Sequence, residues 1–156
     1  MSTRASVDEL ATIPLFAALE ASTLRELAAR LTVRRWAPGE MVFDAGDASG
    51  SILAVLTGSV ELERRDRAGR AWVIATRGAG EWFGDVGLIG IKRRAVGARA
   101  LVESRLLEVP ARELHELARR DVKAYALLTM NLARELARKV DRLEQELVER
   151  RGGSPG

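Results

Sequence analysis

The sequence predicts an α+β fold that is mainly β, an antiparallel β-roll or jelly roll set between N-terminal helices and a long C-terminal helix. Three observations predict it. Apolar residues recur at helical spacing near the start of the chain and again after Pro110, but alternate with a period of two in between. Glycine turns punctuate that middle stretch at short intervals, which suits short strands that reverse repeatedly. With 156 residues, 47% of them hydrophobic, the chain is the size of one domain that can bury a core of its own.

The elements follow in order. Over residues 7 to 31, Leu24, Leu27, Ala28 and Leu31 lie on one helical face, and Thr23 with Glu26 has the spacing of a capping box. Pro14, flanked by Ile13, Leu15 and Phe16, interrupts this pattern, so two helices joined by a tight turn are expected. The β-roll is placed at about 31–109. Val60 and Leu62 alternate there with Glu61 and Glu63, while ILAVL (52–56) and WVIAT (72–76) read as short buried strands. The turns between them are Pro38-Gly39, Ala45-Gly46-Asp47, Thr57-Gly58-Ser59, Arg67-Ala68-Gly69 and Gly78-Ala79-Gly80, with Gly84 beyond. After Pro110 comes an amphipathic helix over ARELHELARR, then a longer one from about residue 121 to 150. On the latter, Leu136, Val140, Leu143 and Leu147 are spaced 4, 3, 4, a heptad seam. With Val140 and Leu147 at a, Lys139 falls at g and Glu144 at the following e, an opposite-charge pair across a parallel homodimer. Residues 1–150 are read as one domain, and 151–156 as a flexible tail.

Composition excludes several classes. There is no cysteine, hence no disulfide scaffold, thiol nucleophile or thiolate metal site, and a cytoplasmic location is expected. No apolar run approaches the roughly 20 residues that span a bilayer. The sequence pI of 9.9 accompanies a formal charge of only +3, with both signs mixed along the chain, so direct DNA binding is not expected. DAGDASGS (44–51) lacks the twelfth-position glutamate of a calcium loop and reads as a turn. His115 is the lone histidine and is expected at the surface, and Ser49, Ser51, Ser59 and Ser104 have no nucleophile-elbow context. No catalytic residue, metal site or cofactor is expected.

One stretch carries chemistry. FGDVGLIGIKRRAVGA (83–98) passes from glycine-rich and apolar to basic within a few residues. Together with the element order, it resembles the cyclic-nucleotide-binding domain of catabolite activator proteins and protein kinase regulatory subunits. The family's phosphate cassette runs Phe-Gly-Glu, an aliphatic residue, a small residue and Leu, then an arginine some residues on. Phe83, Gly84, Val86, Gly87, Leu88 and Ile89 match in register, and Arg94 follows at a family spacing. The resemblance implies that Gly84, Val86, Gly87, Leu88, Arg94 and Ala95 hold a cyclic phosphate, Asp85 holds the ribose, and Lys139 and Val140 stand where the long helix would meet the base. A helix N-terminus with glycine at the point of approach suits an anion, and arginine closes a bidentate fork on it.

Three departures from the pattern are visible. Asp85 is one methylene shorter than the usual glutamate, Arg93 stands where proline often precedes the arginine, and Val96-Gly97 replaces a small residue and a hydroxyl donor. The expected function is a stand-alone cyclic AMP or cyclic GMP sensor that acts through a protein partner. The alternatives are a ligand-free interaction module on the same fold, or the sensor fragment of a transcription regulator.

Overall fold

A computed structural model of the chain describes residues 2–84 and 93–153. The N-terminal layer holds strand β1 (Ser2–Arg4), helix α1 (Val7–Ala11), a 3-10 turn over Pro14–Phe16 and helix α2 (Ala21–Arg30). Eight strands follow: β2 (Thr32–Trp36), β3 (Met41–Phe43), β4 (Ser51–Thr57), β5 (Ser59–Arg65), β6 (Ala71–Gly78), β7 (Trp82–Phe83), β8 (Gly97–Ala100) and β9 (Ser104–Pro110). Helices α3 (Ala111–Arg120) and α4 (Val122–Gly152) close the chain. All strand pairs are antiparallel, in a five-stranded sheet ordered β1-β2-β9-β4-β7 and a four-stranded sheet ordered β3-β8-β5-β6. This is the expected β-roll with helices at both ends.

The centre of the larger sheet, β4 and β9, is buried on both faces, and period-two alternation divides its side chains between two cores. On β4, Ile52 and Ala54 join Leu10, Leu27, Leu107, Leu117 and Leu128 in a core under the helices. Leu53 and Val55 face the other way and meet Phe43, Val60, Leu62, Phe83 and Leu106 between the two sheets. A run such as ILAVL is thus apolar throughout because neither of its faces meets water.

The hydrogen bonds that tie helix α4 to the N-terminal layer lie near its start. Asp121 caps its start by accepting from the Ala124 amide, and Thr23 of α2 donates to the same carboxylate at 3.0 Å. Asn131 donates to the carbonyls of Leu15 and Ala17, both at 3.0 Å. Ala124, Leu128 and Leu132 are buried, whereas every residue from Val140 to Gly153 is exposed. The helix runs to Gly152, two residues past the expected end.

Two local expectations are corrected. The capping box is at Ser6 and Glu9, ahead of α1, where the Ser6 hydroxyl and Glu9 carboxylate each accept from the other's backbone amide. Thr23 and Glu26 lie inside α2, whose first helical residue is Ala21, and they reach Asp121 and Arg120 instead. The second correction concerns WVIAT. It does form a strand, β6, but as the edge of its sheet, with Trp72, Val73 and Ile74 about half or more exposed. Among the sequence's turn glycines, Gly58 is held most tightly: its φ is +100°, and a Cβ there would overlap the Ser104 hydroxyl and lie 2.7 Å from the Glu103 carbonyl oxygen. Gly58→Ala therefore meets both backbone strain and overlap, and it is expected to cost about 3 kcal/mol or more in urea denaturation, far above an ordinary surface change.

Candidate functional site

Arg94 lies inside the β-roll, only 7% exposed. Its backbone is fixed first. Gly46 N donates to the Arg94 carbonyl and Arg94 N donates to the Asp47 carbonyl, both at 2.8 Å, while Arg93 reaches the Gly46 carbonyl at 2.9 Å. The Asp44–Asp47 turn, closed by the Asp44 amide on the Asp47 carboxylate, is thus the clamp on the arginine. No group of three or more His, Cys, Asp or Glu side chains suited to a metal occurs among the described residues.

The guanidinium is then enclosed. It stacks on the Phe43 ring at 4.2 Å, and donates at 3.3 Å to the Gly84 carbonyl and at 3.3 Å to the Ser51 hydroxyl. Gly84 has φ +80°, and a Cβ on it would run into the guanidinium, so glycine is required there for room as well as for conformation. Both hydrogen bonds are long, and Nε has no partner among the described residues. Burial draws the guanidinium pKa down, opposed by the charges of Glu108 and Asp47. Arginine remains charged regardless.

A cavity of about 180 Å³ opens beside this group, lined on one sheet face by Arg34 and Trp36 of β2, Ser51 and Leu53 of β4, and Leu106 and Glu108 of β9. Trp36 Nε1 is a second buried donor without a partner among the described residues. The lining thus combines the donors of Arg94 and Trp36 with the carboxylates of Asp47 and Glu108, a polar wall within an apolar roll.

The residues singled out from sequence are distributed unevenly. Gly84 and Arg94 are in contact, while Ala95 is exposed on the bend that follows. Asp85, Val86, Gly87 and Leu88 lie outside the described residues. Lys139 lines a different cleft, of about 290 Å³, with Thr12, Arg77, Trp82, Glu135 and Arg138, and Val140 is 54% exposed. In this conformation α4 does not line the Arg94 cavity. The site also holds Phe43, Trp36 and Glu108, which the sequence does not single out, and Asp47 and Ser51, which it marks only as a turn residue and a serine outside any catalytic motif. For Glu108 the signal was present: alternation along β9 puts it on the inward face with Leu106.

Comparison with known proteins bears on this site. A family profile described as the cyclic nucleotide-binding domain matches residues 33–121. The cyclic AMP receptor protein of Thermus thermophilus is 32% identical over 135 residues, covering 86% of this chain and 60% of the relative. The cAMP-activated global transcriptional regulator Vfr of Pseudomonas aeruginosa is 28% identical over 75% of this chain and 58% of its own. The chain thus spans about three fifths of these relatives. A cyclic nucleotide-binding domain from Methylobacillus flagellatus superposes with a TM-score of 0.87 at 16% identity, over 100% of this chain and 90% of that one, which establishes the fold. The catabolite activator protein of T. thermophilus gives 0.74 at 29% identity, over 86% and 61%.

A buried charge with incomplete hydrogen bonding costs stability that an apolar side chain of similar length does not. Arg94→Met is accordingly expected to hold or raise the thermal midpoint, by the equivalent of up to about 1 kcal/mol in scanning calorimetry. A loss above about 2 kcal/mol would make the guanidinium a strut of the fold rather than a ligand group kept at a cost.

Proposed function

Since the chain belongs to the cyclic nucleotide-binding domain family, we propose that it is a regulatory sensor that takes cyclic AMP or cyclic GMP against Arg94 and passes occupancy to a protein partner through α4. One observation carries this reading: a buried arginine, pinned by a dedicated turn, with Nε unpaired among the described residues and its terminal nitrogens in long hydrogen bonds that a phosphate could replace. Phosphate oxygens would give the guanidinium the charge-assisted partners it lacks. Asp85 would take the ribose hydroxyl, and Lys139 and Val140 would meet the base only if α4 and the roll moved relative to one another.

The long helix supports a homodimer. Leu143 and Leu147 are 62% and 49% exposed, and the a/d spacing runs backward through Leu136, Ala133, Thr129 and Ala126 to Val122. Apart from Leu136, which packs partly on the core, each of these is exposed, so one unbroken stripe over more than three heptads is available to a second copy.

A second reading has its own support. Asp85 and Val96-Gly97 suit a module that keeps the fold and works through its surfaces alone. The relatives, being longer, also allow a sensor portion of a larger regulator.

Isothermal calorimetry with cyclic AMP and cyclic GMP separates these. Binding at tens of micromolar or tighter, weakened at least 100-fold in Arg94→Met, is the expected result, since a bidentate charged contact accounts for about 3 kcal/mol. No heat with either nucleotide would favour the ligand-free module. For the dimer, light scattering should give twice the chain mass for wild type and a single mass for Leu143→Glu/Leu147→Glu, substitutions placed where they leave the monomer's own packing intact.

A further inference from the structure

The hairpin of β5 and β6 concentrates the chain's charge. Arg64, Arg65, Arg67 and Arg70 face a single acid, Asp66, so this tip alone carries a net charge equal to the +3 of the whole chain. The remaining residues balance. All five of these side chains are exposed.

The tip is also rigid. Asp66 accepts from the amides of Ala68 and Arg70 and from the Trp72 indole at 2.9 Å, and the Arg70 guanidinium lies 4.4 Å over the Trp72 ring. The indole, then the Arg70 amide, hold the Asp66 carboxyl below its ordinary range. Behind the tip runs β6, whose outer edge pairs with nothing among the described residues. Trp72, Val73 and Ile74 are exposed there in succession. Edge strands are ordinarily blunted by charge, proline or brevity, yet the middle of this eight-residue strand has none of these.

We propose that the β6 edge is a docking site for an extended, acidic peptide segment of a partner protein, which adds a strand to the four-stranded sheet. Main-chain groups of β6 would pair with the segment, Trp72, Val73 and Ile74 would cover its apolar side chains, and the four tip arginines would meet its carboxylates. The arginines call for an acidic occupant. The exposed part of α4 does not supply one, since residues 138–151 hold five cations against four anions. A nucleic acid would suit the arginines but has no use for an unpaired strand edge or for consecutive aliphatic side chains. This adds to the sensor reading a contact surface separate from α4, with an occupant of stated chemistry, and it stands without nucleotide.

The test uses the full chain with no nucleotide present, so that its outcome is separate from that of the calorimetry above. The probe is a fluorescein-labelled eight-residue peptide of alternating valine and glutamate, followed by fluorescence anisotropy. Saturable binding is expected, weakened about tenfold or more by Arg67→Glu/Arg70→Glu and by Ile74→Lys. A peptide of the same sequence with alternate backbone nitrogens methylated should not bind, and amide exchange should slow along β6 only with the unmethylated one. Equal binding of both peptides, or displacement by a twelve-residue oligothymidylate that itself binds more tightly, would overturn strand addition in favour of charge alone. A fall to monomer mass in light scattering of Ile74→Lys would instead assign the surface to a second copy, and no binding at millimolar peptide would end the proposal.

Discussion

The site is organised around one constraint: a guanidinium taken out of water without a full set of partners. Left to itself, such a group would move to the surface, because its stem is flexible and solvation of the charge outweighs two long hydrogen bonds. What holds it in place is backbone. The Asp44–Asp47 turn grips the main chain on either side of the arginine, and the Phe43 ring and Gly84 leave a slot that fits the guanidinium plane. Several residues with no chemistry of their own are thereby accounted for. Gly84 must lack a side chain, and Ser51 must be small, inward and polar. The carboxylates of Asp47 and Glu108 are where a buried cation needs them.

The larger sheet links this slot to the helices. Along β4 and β9, successive residues alternate between the core that contains Arg94 and the core beneath α2, α3 and α4. Displacement of a strand on one side must therefore be felt on the other, because close-packed interiors do not absorb movement locally. The hydrogen bonds from Thr23 and Asn131 bind the front half of α4 to the N-terminal layer, so the layer and that half of the helix would move as a unit.

Much of this was legible in the sequence. Change of hydrophobic period marks the boundaries of the roll, since helices and strands repeat their buried faces at 3.6 and 2 residues, and glycine marks reversals where φ must be positive. Arg94 stood out because a basic residue after a glycine-rich run is chemically distinctive. The residues that enclose it did not, because Trp36, Phe43, Ser51 and Glu108 come from four strands that only the folded register brings together. The misplaced capping box has a simple cause: serine or threonine three residues before glutamate is a local pattern, and the chain offers it at both Ser6 and Thr23, with the choice made by tertiary partners. WVIAT misled for the opposite reason. Apolar composition indicates that a strand forms, but whether it is covered depends on its place in the sheet.

The unattached length of α4 has a mechanical consequence. From Val140 to Gly152 the helix extends about 20 Å beyond its last fastening, at 1.5 Å per residue. Pivoted near Leu132, about 30 Å from Gly152, a tilt of about 5° would carry the free end through about 3 Å. In the proposed sensor, small adjustments around the buried arginine would be enlarged by this length at the far end of the helix.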